Sequence, residues 1–374
     1  MKTGWEYKKL IDVCEAYQPK TISTSKLVDN GKYFVYGANG IIGKYIEYNH
    51  EDSEVLLTCR GASCGNVNVS NPKSWINGNA MVIHPTKGVI AKEYLYYYLK
   101  VIDYTKVITG AAQPQITRSS LSNTYISYPS IAEQRRIVSY LDSSFDYIDK
   151  IKENASKSLS EAKALFQSAL AEAMEPKEGW EEKTLGEIAT DMYRGSGIKR
   201  DQISQIGFPC VRYGEIYTTY NYSFNECVSH TNESLINPKK YFDKGDILFA
   251  ITGESVEDIG KCIAYTGKER CLCGGDIVVM KHNQYPQFLA YALSTKEAIR
   301  QKGLGKVKLK VVHTNVPALK SIKIYLPTDI KVQKQIVSRL DSLSSKVRAI
   351  EEKYQKMIAE CDAMKQAMLR EVFE

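Results

Sequence analysis

Two glycine-rich loops in the first half of the chain carry the side chains that are best suited to binding a ligand. They are residues 59–67, Cys-Arg-Gly-Ala-Ser-Cys-Gly-Asn-Val, and residues 110–118, Gly-Ala-Ala-Gln-Pro-Gln-Ile-Thr-Arg. Glycine lets a backbone approach a phosphate, and neighbouring amide and basic side chains can bond base edges or phosphate oxygens. The second half has corresponding loops at 252–263 and 303–310. These loops indicate contacts with nucleic acid, although any one of them is also compatible with an ordinary solvated surface loop.

Catalytic and metal-binding chemistry has no comparable candidate in the sequence. The five histidines stand apart from any obvious acid or nucleophile, and the nine cysteines lack the Cys-x2-Cys spacing of a zinc knuckle. The segment 37–43 has Gly-x2-Gly-x2-Gly spacing, which differs from the dinucleotide-binding fingerprint. We therefore expect a non-catalytic protein that holds neither a metal ion nor a cofactor.

The composition is that of ordinary globular modules. With 374 residues, 43% of them hydrophobic, the chain is long enough for two domains with their own cores. A net charge of +7 permits nucleic-acid binding without requiring it. No apolar run approaches the roughly 20 residues that cross a bilayer, and the first residues lack the apolar core of a signal peptide. We expect a cytoplasmic protein without membrane contact.

An internal repeat must position these loops. Residues 4–10, Gly-Trp-Glu-Tyr-Lys-Lys-Leu, recur as Gly-Trp-Glu-Glu-Lys-Thr-Leu at 179–185, an offset of 175 residues. Residues 134–143, Gln-Arg-Arg-Ile-Val-Ser-Tyr-Leu-Asp-Ser, recur as Gln-Lys-Gln-Ile-Val-Ser-Arg-Leu-Asp-Ser at 333–342, an offset of 199 residues. The second copy therefore carries 24 additional positions between the two matched segments.

Each second segment opens a long helical pattern just after a proline, Pro129 or Pro327. Apolar residues then recur at steps of three and four, from Leu141 to Ala173 and from Ile336 to Val372. Each pattern exceeds about 35 residues, or roughly 50 Å of helix, which is longer than a domain of this size requires. Two unrelated amphipathic helices on separate domains are the alternative, but the pattern favours an antiparallel coiled coil with pseudo-twofold symmetry.

Short strands and turns fill the regions between the matched segments. A short helix is predicted ahead of the last strand of each region, at 91–100 and 287–296. The predicted fold class is α+β, with two modules of mixed short strands and helices separated by two long helices. The predicted domains are a first module at 1–130, a central helix at 131–175, a second module at 176–328 and a C-terminal helix at 329–374.

The chain resembles the specificity subunits of type I restriction-modification enzymes. The resemblance rests on the Gly-Trp starts at 4–5 and 179–180, on Glu-Gln-Arg-Arg-Ile-Val at 133–138, and on Gln-Lys-Gln-Ile-Val at 333–337. The segments 36–43 and 211–217 also look like elements of such recognition domains, and the resemblance covers essentially the whole chain.

The resemblance implies a division of labour. This chain would read a bipartite site in double-stranded DNA, with one module for each half, while its helices would set the spacer and dock two methyltransferase subunits. Those subunits would bind S-adenosylmethionine and methylate adenine, and motor and nuclease subunits would join for restriction. The 24 additional positions in the second copy predict that the two halves of the DNA site differ.

The loop side chains that could contact DNA are basic, amide, hydroxyl and carboxylate groups in both modules. Lysine and arginine would neutralise phosphates, and the other polar groups would read bases. The candidates in module one are Lys44, Arg60, Ser63, Asn66, Gln113, Gln115 and Arg118. The candidates in module two are Arg194, Lys199, Arg200, Arg212, Thr252, Glu254, Ser255, Lys306, Lys308, Lys310 and Asn315.

Two other classes of protein compete with this interpretation. A coiled-coil adaptor for protein partners, without DNA specificity, would explain the helices but not two loop-rich basic modules. A fused restriction-modification enzyme could use such modules as its recognition arm, but we find no catalytic domain in the sequence.

Overall fold

The computed structural model describes residues 3–110, 113–304 and 311–374. The chain divides into two compact units, one formed by Met1–Ser156 with Tyr354–Glu374 and the other by Lys157–Lys353. Each unit contains one strand-rich module and a part of both long helices. The predicted α+β fold is confirmed. None of the described helices combines the length and apolarity needed to cross a membrane.

The first unit is built on a four-stranded antiparallel sheet in the order β2-β8-β5-β6, with a three-stranded sheet, β4-β3-β7, and a two-stranded ribbon, β1-β9. Its strands are β1 (Glu6–Lys9), β2 (Cys14–Tyr17), β3 (Tyr33–Gly37), β4 (Gly40–Tyr45), β5 (Val55–Thr58), β6 (Val67–Val69), β7 (Trp75–Ile76), β8 (Ala80–Pro85) and β9 (Tyr125–Tyr128). Its helices are α1 (Leu10–Val13), α2 (Lys92–Leu99), α3 (Arg118–Leu121) and the first part of α4 (Ile131–Ala173).

The second unit repeats the ribbon and the antiparallel sheet and adds strands to both of its sheets, whose orders are β11-β21-β17-β19-β14 and β12-β15-β13-β20-β16. Its strands are β10 (Trp180–Thr184), β11 (Ala189–Arg194), β12 (Ile203–Ser204), β13 (Phe208–Val211), β14 (Ser223–Phe224), β15 (Ser229–Thr231), β16 (Tyr241–Phe242), β17 (Ile247–Ala250), β18 (Thr252–Gly253), β19 (Cys262–Tyr265), β20 (Cys271–Cys273), β21 (Ile277–His282), β22 (Val312–His313) and β23 (Lys323–Pro327). Its helices are α5 (Leu185–Ile188), α6 (Tyr213–Thr218), α7 (Pro286–Ala292), α8 (Lys296–Gly303), α9 (Val316–Lys320) and the first part of α10 (Ile330–Phe373).

The helix predicted at 287–296 covers all of α7 except Pro286, but α7 ends at Ala292 and Lys296 already begins α8. α7 begins with Pro286 at its first position, where the missing N–H has no partner to lose, and it ends at Ala292. The hydroxyl of Thr295 then accepts a hydrogen bond from the N–H of Ala298 and caps α8. The residues around this break are all compatible with a helix, so the periodic pattern gave no sign of it.

Strands β5 and β8 form the centre of the first core, and β17 and β21 form that of the second. The segment Val55–Thr58 is buried at every position, as is Ile247–Ala250, because each strand has neighbours on both sides and covered faces. Such continuous burial explains why both strands read as short unbroken apolar runs rather than as alternating patterns.

Two buried glutamines at equivalent repeat positions attach each long helix to its own module. The Gln134 amide accepts from the N–H of Ala91 at 2.8 Å and donates to the carbonyls of Val89 and Pro129, both at 2.9 Å. The Gln333 amide accepts from the N–H of Tyr285 at 3.0 Å and donates to the carbonyl of Pro327 at 2.9 Å and the side chain of Gln284 at 2.8 Å. The glutamine of the repeated Gln-x2-Ile-Val segment therefore fixes the start of each long helix to its module.

A tyrosine–aspartate pair reinforces each of these junctions. Tyr97 donates its hydroxyl proton to Asp142 at 2.5 Å, and Tyr291 donates to Asp341 at 2.6 Å. Burial raises the pKa of both phenols further, so the proton stays on the tyrosine and the hydrogen bond persists over the ordinary pH range. The aspartates are the ninth residues of the two matched segments, which accounts for their repetition in the sequence.

The two long helices pack antiparallel, as predicted. Lys152 lies 2.6 Å from Asp362, Lys365 lies 2.6 Å from Asp149, and Lys163 lies 3.8 Å from Glu351. As the residue number rises along α4 it falls by the same amount along α10, so one register holds in all three ion pairs.

The apolar seam of α10 departs from the strict heptad pattern. Leu340, Val347 and Cys361 are buried as expected, whereas Ile350 and Met364 are exposed. A helix of 3.6 residues per turn drifts by about 20° per heptad relative to a 3.5-residue repeat, which carries some heptad positions out of the contact.

Candidate nucleic-acid interface

The loop that follows β5 forms the centre of a polar surface on the first unit. Two successive turns shape it, with the N–H of Cys64 donating to the carbonyl of Gly61 and that of Asn66 to Ser63, each at 3.0 Å. The N–H of Thr58 donates to the carbonyl of Asn66 at 2.8 Å and closes the base of the loop. The side chains of Arg60 and Asn66 are exposed, and that of Ser63 is half-buried.

Residues 113–116 of the second predicted loop of module one pack beside the first loop. The N–H of Gly61 donates to the carbonyl of Pro114 and that of Ile116 to Cys59, both at 3.0 Å. A β-bridge joins Arg60 to Gln115. The structure therefore brings five predicted residues to one surface: Arg60, Ser63, Asn66, Gln113 and Gln115.

The tip of the β3–β4 hairpin completes this surface. The hydroxyl of Thr58 donates to the carbonyl of Ala38 at 2.5 Å, which ties the hairpin to the end of β5. The carboxamide oxygen of Asn39 accepts from the side-chain amides of Asn66 at 3.4 Å and Asn68 at 3.2 Å. Neither Asn39 nor Asn68 was among the sequence candidates, although the pair Asn39-Gly40 is a sequence signal that could have identified the hairpin tip.

The two remaining candidates of module one lie apart from the loop centre. Lys44 pairs with Phe34 at the opposite end of the hairpin from Asn39, and its ammonium lies 5.7 Å from the centroid of the Phe34 ring. Arg118 is the exposed first residue of α3, immediately after the capping residue Thr117.

In module two the candidates lie at the corresponding edge of the sheet, where the residues that follow β11 and β17 leave it. β11 and β17 both end where β21 begins, because both strands pair antiparallel with it. The N–H of Gly195 donates to the carbonyl of Ile277 at 2.8 Å, and that of Ile251 donates to Asp276 at 2.9 Å. The residues that follow β11 and β17 therefore emerge side by side.

Three predicted arginines gather around one cleft at this edge. The cleft has a volume of about 510 Å³, and Arg200, Arg212 and the turn Gly274–Asp276 are among its lining residues. Arg194 donates to the carbonyl of Gly275 and, at 2.7 Å, to the carboxylate of Asp276. Arg212 lies 3.4 Å from Glu215, whereas Arg200 is exposed. Arginines beside a glycine turn suit phosphate, which they can bind with two parallel N–H bonds. Lys199 is exposed next to Arg200.

The loop after β17 lies against the same region. The hydroxyl of Tyr217, on α6, donates to the carbonyl of Asp258 at 3.2 Å, and Lys261 donates to the carbonyl of Tyr217 at 3.3 Å. Burial raises the pKa of Tyr217 and lowers that of Lys261. The phenol therefore remains protonated and holds α6, which follows Arg212, against this loop.

Three polar candidates of module two are engaged within the fold. The hydroxyl of Thr252 is buried and lies 3.1 Å from Nδ1 of His313. The hydroxyl of Ser255 donates to Asp258 at 2.7 Å, and the carboxamide of Asn315 accepts from the N–H of Ala318 at 2.9 Å and caps α9. Glu254 remains exposed. Lys306, Lys308 and Lys310 lie outside the described residues.

The two edges are built in the same way. In module one the N–H of Ile116 donates to the carbonyl of Cys59, and in module two that of Thr314 donates to Ile251, each at 3.0 Å. The next residues, Thr117 and Asn315, cap α3 and α9. No group of acidic, histidine and cysteine side chains suited to a metal ion occurs among the residues of 3–110, 113–304 and 311–374.

Comparison with known proteins identifies a family. The model for the type I restriction modification DNA specificity domain matches the chain twice, at residues 2–161 and 177–359. A putative type I restriction enzyme specificity subunit from Haemophilus influenzae is 25% identical over 88% of this chain and 84% of its own length. The EcoKI specificity subunit from Escherichia coli K12 is 24% identical over 90% of this chain and 72% of its own length.

Solved structures share the fold. A chain from a study of complex assembly and conformational transition of the type I restriction-modification system has a TM-score of 0.74 at 18% identity, covering 100% of this chain and 98% of that one. The HsdS subunit from Thermoanaerobacter tengcongensis has a TM-score of 0.53 at 18% identity, with coverage of 100% and 97%. With the family model matching both repeats, the chain belongs to the DNA specificity family of type I restriction-modification systems.

Proposed function

We propose that this chain is the non-catalytic subunit that selects the DNA sequence for a type I restriction-modification complex, with each unit reading one half of an asymmetric bipartite site. The observation that carries the proposal is the double match of the DNA-specificity model, one match for each repeat. The equivalent sheet edges, each with glycine turns and exposed arginine, support it. The comparisons give no support to a coiled-coil adaptor without DNA specificity.

The proposal assigns the chemistry to partners. Two methyltransferase subunits bind S-adenosylmethionine and methylate adenine in the cytoplasm, restriction subunits join for cleavage, and the long helices provide the docking surfaces. This chain contributes binding energy and sequence selection only. Purified alone, it should therefore neither methylate nor cleave DNA, and either activity in the single chain would contradict the proposal.

The asymmetry of the site follows from the two edges. Module one presents carboxamides around Arg60, whereas module two presents a cluster of arginines and the carboxylate of Glu254. Amides pair with adenine, arginine with guanine or phosphate, and carboxylates accept from the amino group of cytosine. Different functional groups at the two edges read different bases.

The decisive experiment maps methylated adenines in a genome that expresses this chain with its methyltransferase partner. We expect one bipartite motif with unlike halves. Exchanging residues 1–130 for the first module of another specificity subunit should then change one half and leave the other half intact. The absence of any bipartite motif would refute the proposal.

Removing one heptad from each long helix should shorten the spacer between the half-sites and leave their bases unchanged. Seven helical residues span about 10 Å, which corresponds to about three base pairs of DNA. Methylation mapping measures the spacer directly. Removing seven residues from a surface loop is the control and should preserve the spacer. A shortened protein that changed the bases and kept the spacing would show that the helices do not set this distance.

A further inference from the structure

Three asparagines of module one form a connected set of side chains on the polar surface. Asn39 stands at the hairpin tip, Asn66 in the loop after β5, and Asn68 on β6. Their contacts converge on one atom, the carboxamide oxygen of Asn39, which accepts from both of the other side chains. Asn39 and Asn66 are exposed, and Asn68 is half-buried.

Backbone contacts from three directions hold these side chains in place. The Thr58 hydroxyl fixes the hairpin tip through the carbonyl of Ala38, and the N–H of Asn66 donates to Ser63. Asn68 stands opposite Leu56 in the β5–β6 pair, where the ladder sets its position. Side chains fixed before binding lose less conformational freedom when they meet a base, which favours a role in recognition.

The hydrogen bonds among the three asparagines determine which of their donors and acceptors remain free to bind a ligand. The Asn39 oxygen already accepts two hydrogen bonds, so the Asn39 group left for a ligand is its amide NH₂, a donor. Asn66 and Asn68 each use one N–H of their NH₂ group toward Asn39, which leaves each of them one N–H donor and its oxygen as an acceptor. Within the described part of the chain, these remaining groups have no hydrogen-bond partner. The set therefore presents both N–H donors and two acceptor oxygens close together.

Adenine is the only base that offers both an acceptor and a donor in the major groove, so it alone can use a donor and an acceptor of the set together. Its N7 accepts and its N6 amino group donates, whereas guanine offers two acceptors, thymine one acceptor and cytosine one donor. We propose that Asn39, Asn66 and Asn68 together read an adenine in the half-site of module one, with the amide of Asn39 donating to N7. This inference rests on the proposed function of the chain as a DNA-sequence reader.

The Asn39→Asp substitution tests this assignment with little change in shape. The new carboxylate still accepts from Asn66 and Asn68, so the set stays connected, but it cannot donate to N7. We expect one adenine of the module-one half-site to lose its preference in the methylation map, while the other half and the spacer stay the same. In competition binding, discrimination at that position should fall by about 5- to 150-fold, the range for one paired base contact. Asn30→Asp, at another exposed asparagine of the module, is the matched control and should leave the motif unchanged.

A modified adenine that lacks N7 tests whether N7 is the atom that Asn39 contacts. Replacing the adenine by 7-deazaadenine removes N7, so binding by the unchanged protein should weaken by roughly tenfold, as expected for one lost hydrogen bond. With Asn39→Ala the same replacement should have no further effect. A half-site without adenine, an unchanged motif with Asn39→Asp, or equal sensitivity of both proteins to 7-deazaadenine would each overturn the assignment while leaving the proposed function intact. Failure of the unchanged protein to yield any bipartite motif would instead refute the proposed function.

Discussion

Replacing Gln134 by alanine should lower the free energy of unfolding of the first unit by about 3–5 kcal/mol. The fully buried Gln134 amide is the partner of the N–H of Ala91 and of the carbonyls of Val89 and Pro129, and each lost partner costs about 1–3 kcal/mol. Gln333→Ala should cost the second unit a similar amount. Urea unfolding measures the loss, and hydrogen exchange resolved by segment assigns it to the unit that carries the substitution.

The matched control is Gln355→Ala on α10, where the glutamine is exposed. Its effect should stay within about 0.5 kcal/mol, as is usual for surface substitutions. Equal stability of the Gln134→Ala and Gln355→Ala proteins would show that the buried amide does not hold the helix to its module.

Replacing the three cleft arginines, Arg194, Arg200 and Arg212, by glutamine should weaken DNA binding at every sequence by at least roughly a hundredfold, since each charge-assisted hydrogen bond contributes about 1.5–3 kcal/mol. The dependence of binding on salt should change as well. Each lost phosphate contact lowers the logarithmic slope by about 0.9, so the full set lowers it by about 2–3. Affinity for duplexes with matched and mismatched half-sites, measured at several salt concentrations, tests both effects.

Two further variants make the arginine experiment decisive. Arg200→Gln alone should lower the slope by about 0.9 without disturbing an ion pair of the fold, which separates binding from stability. Arg300, Arg339 and Arg348, replaced together by glutamine, provide the same change in charge on α8 and α10, and the salt slope should then hardly change. If the cleft variant instead altered the preferred bases at constant salt slope, these arginines would contact bases rather than phosphates.

The helices and the repeat could be predicted because their signals are local and periodic. Long apolar patterns identified α4 and α10 to within a few residues, and two matched segments located the junctions that carry Gln134 and Gln333. The break between α7 and α8 could not be predicted from the periodicity, because Thr295 caps a new helix within a stretch whose composition suits one continuous helix.

Which residues make up the candidate interface could not be predicted, because that depends on contacts between residues far apart in the sequence. Gly-rich loops indicated the edge of each sheet, but the Asn39 contacts require the hairpin register and the β5–β6 pairing together. Thr252 looked available for DNA, yet it is bonded to His313, which lies 61 positions along the chain. Polar residue type alone does not separate a side chain that the fold uses from one that it leaves free.

The ion pairs between the long helices also distinguish the two helices from each other. By the 199-residue offset, Lys152 of α4 occupies the repeat position of Glu351 of α10, and Lys163 that of Asp362. If α4 met a second α4 in this register, Lys152 would face Lys163, and an α10–α10 pair would set Glu351 against Asp362. Like charges at such distances are repulsive. The charges therefore favour the pairing of α4 with α10 and disfavour α4–α4 and α10–α10 pairs between copies of the chain.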